Sequence, residues 1–310
     1  MSGSRMPAAG DSPGLQRAHC LRRRDILIGL TGVGAFGLLP AVARANVPLS
    51  ADKVGTPPAD TRDHFVRWMQ ANRGEDPRFL AQRWNRLQAL FQHKDIWGAE
   101  NIRGFLLTPR EKFVTPANLD RAYVWHYLDI GFGVTITGPH TVARMTSALD
   151  VGPGASVLEI GTGSGYQSAY LSNLTDRVFS IEIIPGLAAR TRRLYDDLIA
   201  RGYTEYRSIR TKNADGYYGW EEFAPFDRII VTCGIDHIPP PLLQQLKPDG
   251  IMVIPVGPPG AQHVLKVVAV RGDGGAIRVT RSDIYGGAPI AFVPLTKLEG
   301  GVVSGTHNND

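Results

Sequence analysis

The sequence predicts an α/β fold, a doubly wound parallel sheet preceded by a helical extension. Four short β-branched runs, "SVLEI", "RVFSIEI", "DRIIVTC" and "GIMVIPV", have the unbroken apolar character of strands buried on both faces. Helical stretches, one starting at Gly165 and one from about Pro185 to Arg201, separate the first three. Strands alternating with helices build right-handed parallel units. The third observation is "VLEIGTGSGYQ", Val157–Gln167, a glycine-rich turn where the first strand passes into its helix. Later runs, "HVLKVVAV" and "AIRVTRSDIY", alternate apolar with polar residues, which fits an antiparallel edge.

The elements before the sheet follow in order. Arg23 and Arg24 precede an apolar, glycine-containing run from Ile26 to Ala43, which ends in the small-x-small triplet Ala43-Arg44-Ala45. That is the layout of a secretion signal of twin-arginine type, over residues 1–45, with cleavage after Ala45. The expectation is periplasmic export; the alternatives are a short membrane anchor, since the run is barely long enough to span a bilayer, and a cytoplasmic protein. Residues 46–61, with Pro48, Pro57 and Pro58, read as a linker. From Thr61 to about Trp97 the pattern is helical, with Phe79, Leu80, Trp84, Leu87, Leu90 and Phe91 mostly on one face, the spacing of core packing. Residues 46–100 thus form a linker and helical extension, and residues 101–300 the main domain.

Composition narrows the function classes. At 310 residues, 43% apolar and 20% charged, the chain can bury a substantial core. Its net charge of +5 is uneven: residues 1–45 hold six Arg against two Asp, a net +4, which leaves +1 for residues 46–310. That is too little to argue for nucleic acid. Removal of the signal would take Cys20 and leave Cys233 alone, so no internal disulfide is expected in the mature chain. Cys233, in "RIIVTCG", reads as a small buried residue rather than a nucleophile. No metal is expected, and no stable membrane insertion after cleavage.

Three cofactors compete for Gly161, Gly163 and Gly165. A nucleotide triphosphate loop needs Lys followed by Ser or Thr at the helix start, but Tyr166 and Gln167 follow Gly165. A dinucleotide site needs a third glycine three positions after the second; Tyr166 stands there, which disfavours NAD without eliminating it. S-adenosyl-L-methionine carries no phosphate, so the turn must only let backbone come close, which the three glycines permit. Glu182, 21 residues after Gly161, has the spacing of a ribose carboxylate at the end of a second strand. Glu159, just before the turn, is placed to reach the cofactor's amino end through water or backbone, and "ADG", Ala214-Asp215-Gly216, falls where the third strand should end, with Asp215 toward the adenine amino group. Helix capping by these acids is the simpler alternative, strongest for Glu159 and weakest for Glu182.

The run "VLEIGTGSGYQSAYLSNL…VFSIEII…NADGYYGWEEFAPFDRIIVTCG…IPPPLLQQLKPDGIMVIPVG" closely resembles the protein-L-isoaspartate O-methyltransferases, S-adenosylmethionine enzymes of Rossmann-like fold. So do "TPREKFV" (Thr108–Val114), "YLDIGFGVTITGPHTVARM" (Tyr127–Met145) and "AFVPLTK" (Ala291–Lys297). The resemblance covers about Ile102 to Lys297 and implies methylation of the free carboxylate of isoaspartyl residues in damaged proteins or peptides, with the ester closing to a succinimide. It also implies a hydroxyl that orients the substrate carboxylate. The family usually has Ser in "TIS" there; this chain has "TIT" and Thr137, which keeps the hydroxyl and adds a methyl group. Many bacterial members read "GQGQTIS", where this chain has "GFGVTIT", with Phe132 and Val134. His140, in "GPHT", is a candidate substrate contact, with a structural or surface histidine the equal alternative.

A carboxylate is ionised at neutral pH, so the reaction needs alignment rather than a general base. Two alternatives stand beside it: a related methyltransferase acting on another carboxylate, and a non-catalytic relic that keeps the fold. Retention of Glu182, Asp215 and the three glycines argues against the relic.

Overall fold

Thr61 and Asp76 begin the first two helices by the same device, a side-chain oxygen that accepts a backbone N–H of the first turn, from His64 and from Arg78. A computed structural model describes residues 55–271, 277–299 and 302–304; the expected signal and most of the linker lie outside them. Helix α1 spans Arg62–Arg73 and stops at Gly74 in the left-handed conformation, α2 spans Pro77–Gln92, and α3 spans Ala99–Leu107. Of the apolar stripe on α2, Phe79, Leu80, Trp84, Leu87 and Leu90 are buried, while Phe91 stays exposed at the edge of the face.

A short hairpin follows, β1 (Leu128–Asp129) and β2 (Thr135–Ile136), then α4 (Pro139–Leu149). The alternating part runs β3 (Ser156–Ile160), α5 (Tyr166–Ser172), β4 (Arg177–Glu182), α6 (Pro185–Ala200), β5 (Ile209–Asn213), β6 (Phe226–Val231), α7 (Pro240–Gln244) and β7 (Leu246–Val256). Strands β8 (His263–Arg271) and β9 (Ile277–Asp283) complete a seven-stranded sheet in the order β5-β4-β3-β6-β7-β8-β9. A small hairpin, β10 (Lys297–Glu299) and β11 (Val302–Ser304), lies near the end.

Strands β5, β4, β3, β6 and β7 are mutually parallel, and β8 and β9 join antiparallel, the edge that the alternating runs predict. Successive residues point to opposite faces, so each strand feeds two cores. Val157, Val178, Ile251 and Val253 meet one apolar cluster, and Leu158, Phe179, Ile181 and Met252 the other. The first cluster also takes Phe65, Met69, Leu80 and Leu87 from α1 and α2. The helices before residue 100 therefore share the core of the sheet.

Arg83 fixes that attachment. Fully buried, it donates to Glu75 at 2.6 Å, Tyr123 Oη at 2.8 Å and the Leu106 carbonyl at 2.8 Å, with Glu111 at 3.3 Å. Removing one partner of such a buried pair typically costs about 3–5 kcal/mol.

The order in which strands are added reverses about β3: β4 and β5 lie to one side, β6 and β7 to the other. In open α/β sheets ligands bind outside the carboxyl ends of the strands at this switch point. Among the described residues no helix is long and apolar enough to cross a membrane.

Candidate active site

The turn after β3 is held through its backbone groups by β4, α6 and the residue after β6. Gly161 and Thr162 donate to the Ile181 carbonyl of β4 at 2.9 and 3.2 Å. Thr191 and Tyr195 of α6 donate to the carbonyls of Gly163 (2.7 Å) and Gly165 (2.9 Å), and Thr232, just after β6, donates to Gly161 O at 2.8 Å.

The three glycines have different jobs. All have positive φ: 96° at Gly161, 53° at Gly163 and 89° at Gly165. A Cβ on Gly161 would meet Thr232 Oγ1 at 2.5 Å, and one on Gly165 would meet Tyr195 Oη at 2.6 Å. Both are glycine because protein packs there. A Cβ on Gly163 would meet no atom nearer than 3.9 Å, so that glycine alone faces open space.

That space is a cleft whose walls include Thr137, Glu159, Gly161, Gly163, Gln167 and Phe292. Four of the residues expected from sequence thus converge. Glu159, within β3, is fully buried; its Oε2 accepts hydrogen bonds from Ser168 and Ser180, and Oε1 has no partner among the described residues. Burial raises its carboxyl to about 8, against the pull of the two serine hydroxyls. With Oε2 taken by the serines, Oε1 carries the proton of the neutral form; an ammonium brought to Oε1 would displace that proton and draw the carboxyl into its ionised, accepting state.

Glu182 ends β4, as its spacing predicts. Its carboxylate accepts Gly163 N–H at 2.8 Å and Ile184 N–H at 3.0 Å, and burial raises its pKa. It joins the cleft through Gly163 rather than lining it. Asp215 follows the end of β5 and caps a short turn by accepting from Tyr217 N–H at 2.9 Å. Gly216 lies against Ile160, where a Cβ would meet Cγ2 at 2.5 Å. Both stand at the carboxyl edge of the sheet, because β5 pairs with β4 in a register that sets Asn213 beside Glu182.

Thr137 follows β2, half-buried. Its carbonyl is held by Arg110 Nη2 at 2.7 Å, and its hydroxyl makes no hydrogen bond to the described residues. His140 takes another course. It stacks on Trp125 with ring centroids 4.6 Å apart and planes 2° apart, its Nδ1 meets the Trp125 carbonyl at 3.1 Å, and it does not line the cleft. Burial lowers its pKa. Cys233 is half-buried, and burial pushes its thiol up, away from thiolate chemistry. Among the described residues no group of His, Cys, Asp and Glu is placed to hold a metal.

Gln167, Thr232 and Phe292 line the cleft without having been read as site residues. Gln167 and Thr232 lie inside quoted motifs but carry no pattern of their own. Phe292 reaches the site only because the chain returns from β9, with Leu295 N–H bonded to Gly234 O at 2.7 Å.

The residues present fit S-adenosyl-L-methionine: Glu159 for its amino end, Gly163 for close approach, Glu182 and Asp215 along the nucleoside. At about 60 Å³ the cleft holds only part of such a ligand; the remainder would lie along the strand ends. Strand order, glycine turn and acidic strand end together define a Rossmann-like S-adenosylmethionine-dependent methyltransferase. The family model for protein-L-isoaspartate(D-aspartate) O-methyltransferase matches residues 85–300, and the chain belongs to that family.

A protein-L-isoaspartate O-methyltransferase of Anaeromyxobacter dehalogenans strain 2CP-C is 46% identical over 189 residues, covering 61% of this chain and 85% of the relative. Its counterpart in strain 2CP-1 is 41% identical over 212 residues, 68% and 96% of the two chains. In fold, the chain is similar to a Plasmodium falciparum protein assigned to the same activity and solved with S-adenosyl-L-homocysteine. The TM-score is 0.57 at 22% identity, over 69% of this chain and 98% of that one.

Proposed function

We propose that this chain transfers a methyl group from S-adenosyl-L-methionine to the free carboxylate of L-isoaspartyl residues in damaged proteins, opening their repair. The observation that carries the reading is the meeting of Thr137 with Glu159 and Gly163 around one cleft. The cofactor, when bound, supplies a methyl group activated by a sulfonium. The acceptor carboxylate is already ionised, so no general base is needed. Thr137 offers its hydroxyl to one acceptor oxygen, leaving the other to attack. Ile136, Val142, Met145 and Phe292 supply the apolar part of the cleft wall. In the methyl ester product, the following backbone nitrogen attacks the ester carbonyl, methanol leaves, and the succinimide opens with water to aspartate or isoaspartate.

The test is incubation of the protein with methyl-labelled S-adenosylmethionine and an isoaspartyl peptide, beside its normal aspartyl twin. Base-labile labelled methanol from the isoaspartyl peptide alone is the expected result. Equal labelling of both peptides would sink the isoaspartyl assignment. Labelling of neither would favour the second reading, another carboxylate as acceptor. One observation favours that reading: Phe132, on the hairpin that leads to Thr137, presents an aromatic ring that is half-exposed.

Export is the other part of the proposal. It is supported by Arg23-Arg24, the apolar run to Ala43 and the Ala43-Arg44-Ala45 triplet.

A further inference from the structure

Arg110, in the "TPREKFV" segment, has no part in the chemistry described so far. It is fully buried. A buried guanidinium ordinarily faces a carboxylate, as Arg83 faces Glu75 at 2.6 Å. Arg110 makes no ion pair among the described residues. Its Nε donates to the Ala122 carbonyl at 2.7 Å and its Nη2 to the Thr137 carbonyl at 2.7 Å. Its guanidinium carbon lies over the Tyr166 ring, 4.9 Å from the centroid, and Nη1 has no hydrogen-bond partner within normal geometry among the described residues. Burial lowers its pKa to about 10, so the side chain keeps its charge at neutral pH.

The two carbonyls belong to different segments. Ala122 precedes the β1–β2 hairpin and Thr137 follows it, so Arg110 ties the hairpin at its base. At the far end, Gly131, Phe132 and Gly133 are consecutive left-handed residues, with φ of 81°, 60° and 70°, a conformation that a bulky residue adopts only under constraint. Behind Thr137, a Cβ on Gly138 would meet the Trp125 carbonyl at 2.5 Å, so the turn has no room to shift that way. A neutral donor would satisfy both carbonyls without the cost of burying a cation. The charge itself needs a reason, and Thr137 and Tyr166, both in contact with Arg110, line the cleft that receives an anion.

We propose that Arg110 is the positioning residue of the acceptor site: it sets the Thr137 turn through the main-chain oxygen and supplies counter-charge to an ionised carboxylate from behind the cleft wall. The inference rests on the proposed role of Thr137. Arg110→Lys keeps the charge but loses the planar fork that spans two carbonyls; Arg110→Gln keeps one donor and loses the charge. Each is measured in wild-type and Thr137→Val backgrounds, with calorimetric affinity for S-adenosylhomocysteine as the check on fold.

Arg110→Lys is expected to lower kcat roughly ten- to a hundredfold, the scale of a small misplacement, with S-adenosylhomocysteine affinity within about twofold of wild type. In the Thr137→Val background the same change should cost less than about threefold, because the interaction it serves is gone. Arg110→Gln should raise the peptide KM about tenfold above that of Arg110→Lys. Equal fold-losses in both backgrounds overturn the positioning role, and equal KM values for the two variants overturn the counter-charge. Loss of S-adenosylhomocysteine binding by both variants makes Arg110 structural and also overturns the proposal. A Thr137→Val protein with wild-type kcat removes the reading beneath it, and this assignment with it.

Discussion

The Glu182 carboxylate accepts the backbone N–H of Gly163 at 2.8 Å, fastening the end of β4 to the turn that follows β3. Its second oxygen takes Ile184 N–H at 3.0 Å. The same buried side chain therefore ties the end of β4 to the turn that borders the cleft.

Glu182→Gln sets an amide NH₂ against one of those two backbone donors. Charge-assisted hydrogen bonds are worth about 1.5–3 kcal/mol, so cofactor affinity should fall roughly ten- to a hundredfold. The melting temperature should fall as well, since the turn loses its clasp. Calorimetry with S-adenosylmethionine and a thermal melt measure the two effects. Unchanged affinity would remove Glu182 from the cofactor site.

Glu159 gives stability a pH dependence of definite sign. Its carboxyl, raised by burial to about 8, is neutral in the folded chain where the unfolded chain's, near its ordinary 4.5, is ionised. The stability it contributes is fully present below about 4.5 and is lost as pH rises to about 8, with no further loss above. Glu159→Gln has no proton to lose, so its melting temperature should fall less than that of wild type between pH 5 and 8. Identical slopes for the two proteins would mean that Glu159 is ionised when folded.

Alanine at Gly163 and at Gly165 should separate binding from folding. Gly165→Ala drives a Cβ against Tyr195 Oη and Thr191 Cγ2, at 2.6 and 2.7 Å, at a φ of 89°. It should destabilise by about 2–4 kcal/mol. Gly163→Ala meets only the cost of left-handed backbone, about 1 kcal/mol, but projects a methyl group into the open space beside the cleft. Its main effect should be on S-adenosylmethionine affinity. A larger melting-temperature loss for Gly163→Ala than for Gly165→Ala would reverse these assignments.

Export is tested by Arg23→Lys and Arg24→Lys together. The double variant should remain in the cytoplasm with its N-terminus unprocessed, and wild type should be recovered outside it, shortened to begin at Asn46. Wild-type protein found full-length in the cytoplasm would end the proposal.

The fold class and the cofactor turn were legible because their signals are local. An apolar β-branched run, a glycine at positive φ and an acid at a strand end each follow from the conformational limits of a few neighbouring residues. The antiparallel edge was legible for the same reason, in the alternation of "HVLKVVAV" and "AIRVTRSDIY".

What the glycines do was not legible. Gly161 and Gly165 have the same local signature as Gly163, and only Thr232, Thr191 and Tyr195, brought in by β6 and α6, separate packing from open space. His140 carries the same ring whether it meets substrate or stacks on Trp125. Arg110 reads as one charge among many until folding places it between the carbonyls of Ala122 and Thr137, with no ion pair among the described residues. Local pattern specifies which elements form, because backbone preference and periodicity act over a turn or a strand. A buried side chain's role depends on which distant residues fill the space around it, and close packing alone settles that.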